Sequence, residues 1–252
     1  MKHYNIKVNR QEALRYLGYR GSKVDGVVGK QLDRAVSTLE KVSVPSYIYR
    51  TADIEIIPAA EAELENGSTA FPENPTSTGK TEDKAIRLKG TSVVLTGNSA
   101  VNMLSECSQC IMLAATIGRQ VDQAIHRSQV TDMSGAVILD SCASSAVESI
   151  CDQLQADIEA DYMSKGLYLT DRFSPGYGDL PIDLQPVICR ALSAEKTIGL
   201  TITSGMLMMP TKSVTAFIGI SDRPQPKRLT GCANCSMKKY CKYRKAGVTC
   251  AS

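Results

Sequence analysis

A short loop at residues 171–179 carries the side chains of this sequence that are best suited to hold a small ligand. It reads DRFSPGYGD. Pro175 and Gly176 fit the central positions of a type II turn, because proline fixes one φ angle and glycine accepts the positive φ that follows. Arg172 and Tyr177 flank this turn and offer a carboxylate-pairing cation and an aromatic hydroxyl. The loop is a candidate site for a zwitterionic amino acid that carries a flat ring, but the same spacing also suits an ordinary surface turn.

A second group with chemical potential is a set of four cysteines within 19 residues. The group consists of Cys232, Cys235, Cys241 and Cys250. Four thiolates suit a tetrahedral zinc or an iron–sulfur cluster, although the spacing matches neither paired zinc ribbons nor the bacterial ferredoxin run. Nearby lysines favour the thiolate form. A metal centre, unpaired thiols and a redox disulfide switch are the three alternatives.

The remaining five cysteines lie among apolar or small neighbours, which is typical of core positions. They are Cys107, Cys110, Cys142, Cys151 and Cys189. Cys107 and Cys110 form a C-x-x-C pair, but they open an apolar, strand-like run and not a redox-type helix. We therefore expect this pair to pack in the core.

Composition and charge restrict the class of protein. The chain has 252 residues, 43% hydrophobic and 22% charged, which predicts one large or two small globular domains and excludes a disordered, fibrous or coiled-coil protein. No apolar run is long enough to span a membrane, and residues 1–5 lack the apolar stretch of a secretory signal, so we expect a cytoplasmic protein. From residue 221 onward the net charge is +7, against −4 for the remainder. This basic tail indicates either contact with an anionic partner or a solvated end.

Apolar periodicity predicts the elements that must position these groups. Helices are predicted over residues 9–17, 26–41, 98–106, 132–165 and 182–192, with a further helix from residue 118. Asn9, Asn98 and either Asp132 or Ser134 are the predicted caps. Strands are predicted over residues 47–57, 86–88, 92–95, 110–116, 198–203, 206–209 and 213–220. Long helices with a terminal antiparallel meander favour an α+β fold.

The predicted domain organisation has four consecutive parts. A helical and strand segment covers residues 1–57, and a flexible linker or insertion, poor in apolar residues, covers residues 58–83. The ligand-binding domain covers residues 84–222. Residues 223–252 form the basic, cysteine-rich tail.

The 172–181 segment resembles the R-x-x-P-G-Y-x-x-x-P loop of the activation domain of cobalamin-dependent methionine synthase. The similarity continues upstream and downstream, over roughly residues 81–222. It includes residues 115–118, 146–148, 198–200, Thr203, 209–210 and 213–214.

The resemblance implies a C-shaped α+β unit, with long helices packed on a twisted antiparallel sheet, that binds S-adenosylmethionine (AdoMet) in a shallow groove. Carried over by residue, it implies that Arg172, Gly176 and Tyr177 contact AdoMet. Ser174 and Pro175 would shape the loop. Glu148 is the implied acidic partner for the positive groups of the ligand, with a solvated helix carboxylate as the alternative.

The sequence departs from the family pattern in three places. Asp179 and Leu180 replace a small residue and a cysteine before the second proline, and Phe217–Ile218 stands where the last strand carries a ligand-contacting aromatic. No cobalamin-binding module precedes the domain, and the cobalt-ligating histidine motif is absent; the two histidines are His3 and His126. Cobalamin is therefore expected only on a partner protein.

These expectations combine into one favoured function. The chain is predicted to be a free-standing reactivation protein, the AdoMet-dependent component of a methyltransferase system, that supports reductive methylation of cob(II)alamin. The partner is a cobalamin-dependent methionine synthase that lacks its own activation domain. Because reactivation consumes an electron, the four tail cysteines are predicted to hold an iron–sulfur cluster, with zinc as the alternative, and flavodoxin or ferredoxin is the expected donor.

The rival hypothesis is a non-catalytic AdoMet-sensing regulator whose metal-binding basic tail contacts nucleic acid or an acidic protein. The favoured function expects neither a membrane nor nucleic acid as a partner.

Overall fold

The computed structural model describes residues 4–19, 24–65 and 84–226. The helices are α1 (Arg10–Tyr16), α2 (Gly26–Val42), α3 (Ala59–Glu65), α4 (Asn98–Leu104), α5 (Arg119–Thr131), α6 (Met133–Met163), α7 (Leu184–Leu192) and α8 (Ala194–Ile198). The strands are β1 (Ser46–Pro58), β2 (Lys84–Leu88), β3 (Val94–Leu95), β4 (Gln109–Thr116), β5 (Tyr168–Leu169), β6 (Thr201–Ile202), β7 (Met208–Met209) and β8 (Ser213–Ser221). Over these ranges, none of the helices is long and apolar enough to cross a bilayer.

Local capping explains where several helices begin. The side chain of Asn9 accepts hydrogen bonds from the backbone N–H groups of Gln11 and Glu12, both at 3.1 Å, which confirms the predicted cap of α1. Asp132 accepts from the backbone N–H of Gly135 at 2.9 Å, so Asp132 caps the start of α6. A short polar side chain directly before each apolar run was sufficient to locate these two helix starts.

Six strands form one sheet in the order β3-β2-β1-β4-β8-β5, and β6 with β7 forms a separate two-stranded sheet. The pairs β1–β2, β2–β3, β5–β8 and β6–β7 are antiparallel. The α+β class is confirmed. The predicted terminal meander is wrong, because β8 lies between β4 and β5 and does not pair with the β6–β7 hairpin. Helix α8 also occupies the start of the strand predicted from residue 198.

The chain divides into two units, each assembled from separate stretches. The first unit comprises Met1–Ile48, Ala114–Ile158 and Ser193–Val214. Within this unit, α2 packs on α5. The hydroxyl of Tyr4 donates a hydrogen bond to the carboxylate of Asp157 at 2.7 Å, and the ring centroids of Tyr4 and Tyr47 lie 5.1 Å apart. The ammonium of Lys212 lies 2.8 Å from the carboxylate of Asp140.

The second unit comprises Tyr49–Leu113, Glu159–Leu192 and Thr215–Ser252. A buried cluster joins its helix α3 to β1–β3 through Ile57, Ala62, Ala85 and Val94. Strand β1 and helix α3 therefore occupy the first part of the linker predicted over residues 58–83, and the rest of that linker lies outside the described residues. Because each unit draws on three stretches of chain, the units do not coincide with the consecutive segments predicted from the sequence.

All five scattered cysteines are buried and none forms a disulfide bond within the described residues, which confirms their predicted place in the core. Burial raises the pKa of Cys142 and of Cys189 to about 11. Burial likewise raises the pKa of Cys110 above the ordinary range. These thiols stay protonated near neutral pH and act as small apolar side chains.

Candidate functional site

The loop at residues 172–180, in the second unit, contains the predicted turn. The backbone N–H of Tyr177 donates to the carbonyl of Ser174 at 3.2 Å, and Gly176 has a φ of 92°. Because Pro175 cannot adopt a positive φ, a positive φ at the second central position defines a type II turn. A further hydrogen bond from the N–H of Gly176 to the carbonyl of Leu180, at 2.9 Å, closes the loop.

The base of the loop is fixed to strand β8 by a pair of phenylalanines. Phe173 and Phe217 exchange two backbone hydrogen bonds of 3.0 and 2.8 Å in an antiparallel bridge. Their ring centroids lie 5.7 Å apart, and the Phe217 side chain is fully buried. At the position where the family pattern expects a ligand-contacting aromatic, this chain has a residue that supports the loop from inside the core.

The outer part of the loop faces solvent. Pro175 is buried, whereas Gly176 is exposed and Tyr177 is 71% exposed. Arg172, at the start of the loop, is half-buried. The turn uses the N–H groups of Gly176 and Tyr177 internally, so the side chains of Arg172 and Tyr177 are the candidate ligand contacts of the loop.

The end of the loop is attached to helix α4 through Asp179. Its carboxylate accepts hydrogen bonds from the backbone N–H groups of Asn98, at 2.7 Å, and Ser99, at 2.9 Å. The prediction that Asn98 caps this helix is therefore wrong, because Asn98 is its first residue and Gly97 occupies the N-cap position without a capping side chain. The cap comes from Asp179, about 80 residues further along the chain. The sequence alone shows Asp179 only as a departure from the family pattern.

The structure gathers Arg172, Ser174, Pro175, Gly176 and Tyr177 into this one loop, and their contacts with AdoMet stay predictions. Glu148 lies on α6 in the first unit and is half-buried. Burial and a hydrogen bond to Glu12 raise the pKa of Tyr16 to about 12, and the charge of Glu148 adds to this shift. The role of Glu148 as a ligand partner also stays a prediction.

Several other segments that carry the family resemblance meet around a cavity of about 440 Å³ in the first unit. Its lining includes Thr116, Gly118, Ile198, Gly199, Met209 and Pro210. Asp122, which also lines the cavity, accepts hydrogen bonds from the N–H of Thr211 at 2.8 Å and from its hydroxyl at 2.5 Å. The backbone N–H of Ile117 donates to the carbonyl of Lys212 at 3.1 Å. These hydrogen bonds join residues 117–122 to residues 211–212 within the first unit.

The four tail cysteines, Cys232, Cys235, Cys241 and Cys250, lie outside the described residues. Within the described ranges, no three or more His, Cys, Asp or Glu side chains are grouped so as to hold a metal ion. The predicted metal centre stays a prediction about the tail alone.

Comparison with known proteins gives a match of fold. No family model matches the sequence, and no curated protein matches it. Among solved structures, the chain is similar to the crystal structure of the MetH reactivation domain bound to AdoHcy, with a TM-score of 0.57 and 15% sequence identity. The match covers 96% of this chain and 82% of that chain. The architecture is that of the domain whose loop the sequence resembles, and the resemblance is confirmed at the level of the fold.

Proposed function

We propose that the loop at residues 172–180 binds AdoMet and that the protein uses it for reductive methylation of cob(II)alamin on a partner methionine synthase. One observation carries this proposal. The segment RFSPGY forms an exposed turn in the second unit. The fold that carries this turn is shared with a reactivation domain that was solved with AdoHcy bound. The shared fold supports a role in a methyltransferase system, and the loop supplies the candidate ligand contacts.

The side chains of the loop suit the chemical groups of AdoMet. The guanidinium of Arg172 suits the methionyl carboxylate, because a charge-assisted pair can form two parallel hydrogen bonds. The exposed ring of Tyr177 offers a flat face for the adenine. Glu148, on α6, is the proposed acidic partner for the positive groups of the ligand.

The proposed reaction needs one electron and one methyl group for each cobalt. The donor reduces cob(II)alamin to cob(I)alamin, the methyl group passes from sulfur to cobalt, and AdoHcy leaves. AdoMet carries the methyl group on a sulfonium sulfur, and the departing thioether is neutral, which makes the transfer effectively irreversible. No proton moves in this sequence, so the task of Arg172 and Tyr177 is to bind and orient the ligand.

The partner supplies cobalamin in this proposal. The sequence contains only two histidines, and the one that the structure describes, His126, is exposed on α5. We therefore expect the purified protein to retain no corrinoid. Tight stoichiometric binding of cobalamin by this chain alone would contradict the division of roles.

We propose that the four tail cysteines hold an iron–sulfur cluster, which serves as the electron entry point. Zinc is the alternative metal, and because Zn²⁺ has no redox chemistry it would make the tail structural. The positive charge of the tail would steer an acidic flavodoxin or ferredoxin, and this attraction weakens as salt rises. We propose that the chain acts as a free-standing component, serving a methionine synthase without an activation domain of its own.

The direct test combines purified protein, AdoMet and a reductant with the cob(II)alamin form of such a synthase, under anaerobic conditions. Recovery of the methylcobalamin absorption spectrum is expected, and the Arg172→Ala variant should recover it more slowly. AdoMet binding without any recovery would instead support the AdoMet-sensing regulator.

A further inference from the structure

Asp179 stands where the family pattern has a small residue, and its carboxylate caps the start of helix α4. Each of its two oxygens accepts one backbone N–H from the first turn of α4, that of Asn98 and that of Ser99. These donors have no partner within their own helix, and an anion at a helix start is stabilised by the helix dipole. The loop and the helix therefore satisfy each other's polar groups.

Two glycines allow this close approach. A Cβ atom on Gly97 would lie 3.0 Å from the side chain of Asp179, and Gly97 has a φ of 98°. A Cβ atom on Gly178 would lie 2.6 Å from the hydroxyl oxygen of Ser99, and Gly178 has a φ of 62°. A side chain at Gly97 would crowd the carboxylate and carbonyl of Asp179, and one at Gly178 would displace the hydroxyl of Ser99.

Helix α4, to which the loop is attached, is itself packed into the core. Its inward side is buried through Ala100, Val101, Met103 and Leu104. The loop is consequently fixed at two places, by the Phe173–Phe217 bridge at one end and by Asp179 at the other. The exposed turn that contains Tyr177 lies between these two attachments.

We propose that Asp179 is a positioning residue. It fixes the positions of the Arg172 and Tyr177 side chains by attaching their loop to the first turn of α4. The consequence for AdoMet rests on the proposed function, whereas the effect on the loop does not. A carboxylate suits this role because it accepts two N–H groups at once. An asparagine would offer one acceptor and turn its own N–H₂ group toward the other donor.

The first experiment measures the loop without any ligand. The chain contains no tryptophan, so Tyr177→Trp introduces a single tryptophan on the turn, which can be excited selectively at wavelengths where the tyrosines do not absorb. In that background, Asp179→Ala should lower the fluorescence anisotropy of the tryptophan, and Asp179→Asn should lower it less. Asp183→Ala is the matched control, because the side chain of Asp183 is exposed and forms no hydrogen bond or ion pair with the described residues, while the charge change is the same.

The second experiment measures ligand affinity in the chain with Tyr177 intact, by calorimetry with AdoHcy. Asp179→Ala should weaken binding by about tenfold, because two side chains must then be ordered when the ligand binds. Asp179→Asn should show a smaller loss, and Asp183→Ala none. Circular dichroism verifies folding. If Asp179→Ala does not fold, the AdoHcy affinity of Asp179→Asn tests the positioning role instead.

The outcomes separate the two proposals. If neither AdoMet nor AdoHcy binds the unaltered protein, the proposed function fails, and the anisotropy still decides whether Asp179 positions the loop. Anisotropy in Asp179→Ala equal to that of the Asp183→Ala control would overturn the positioning role. Unchanged AdoHcy affinity in Asp179→Ala, with binding intact in the unaltered protein, would overturn it as well.

Discussion

Gly178→Ala tests how closely the loop approaches helix α4. Gly178 has a φ of 62°, and a Cβ atom there would lie 2.6 Å from the hydroxyl oxygen of Ser99. The alanine would thus meet two obstacles, a left-handed backbone conformation and a steric overlap. Gly166, with a φ of 73° and no atom within 4 Å of its added Cβ, presents only the first obstacle. Gly166→Ala is therefore the matched control.

The two obstacles have separate magnitudes. An alanine held in the left-handed region costs about 1–2 kcal/mol of stability, and this is the whole effect expected for Gly166→Ala. Moving the Ser99 hydroxyl to an unfavourable rotamer adds about 0.5–1.5 kcal/mol. Gly178→Ala should consequently destabilise the protein by about 1.5–3.5 kcal/mol.

Urea unfolding followed by circular dichroism measures these differences. Ser99→Ala alone should be close to neutral, since its hydroxyl makes no hydrogen bond to the described residues. The double variant with Gly178→Ala and Ser99→Ala should return to the level of Gly166→Ala, because the remaining contact, to the Cβ of Ser99 at 3.5 Å, is ordinary. If Gly178→Ala is no worse than Gly166→Ala, or if Ser99→Ala gives no relief, the close docking of the loop on α4 is refuted.

Three further predictions concern the ligand, the tail and the core thiols. Arg172→Ala should weaken AdoHcy binding by about 1.5–3 kcal/mol if its guanidinium pairs with the ligand carboxylate, and Tyr177→Phe should cause a smaller loss of affinity. Calorimetry that shows no change in either variant would remove the loop from the site. The variant with Cys232→Ser and Cys235→Ser should keep its AdoHcy affinity and lose reactivation with a protein electron donor. Metal analysis that finds neither iron nor zinc in the unaltered protein would end the metal hypothesis. The five buried cysteines should resist iodoacetamide near neutral pH in the folded protein, since burial raises the pKa of Cys142 and Cys189 to about 11. Mass spectrometry that finds rapid labelling at these positions would contradict that burial.

The sequence by itself determined the features that depend on neighbouring residues. The turn at Pro175–Gly176 follows from the φ preferences of two adjacent residues, and the starts of α1 and α6 follow from Asn9 and Asp132, each a few positions from the N–H groups it accepts. The buried cysteines were recognisable from their apolar neighbours. The R-x-x-P-G-Y pattern likewise indicated the fold, because the motif is local.

Only the tertiary structure decided the features that depend on distant contacts. The cap of α4 comes from Asp179, and no local pattern near Gly97 indicates which residue supplies it. Periodicity located β6, β7 and β8 approximately but could not assign their partners, since strand pairing joins residues far apart in the chain. The same holds for Phe217, whose apolar strand predicts burial but not its bridge to Phe173 at the base of the loop. A local pattern thus specified the shape of the candidate ligand loop, whereas its attachment to β8 and α4 came from side chains and backbone groups brought together by folding.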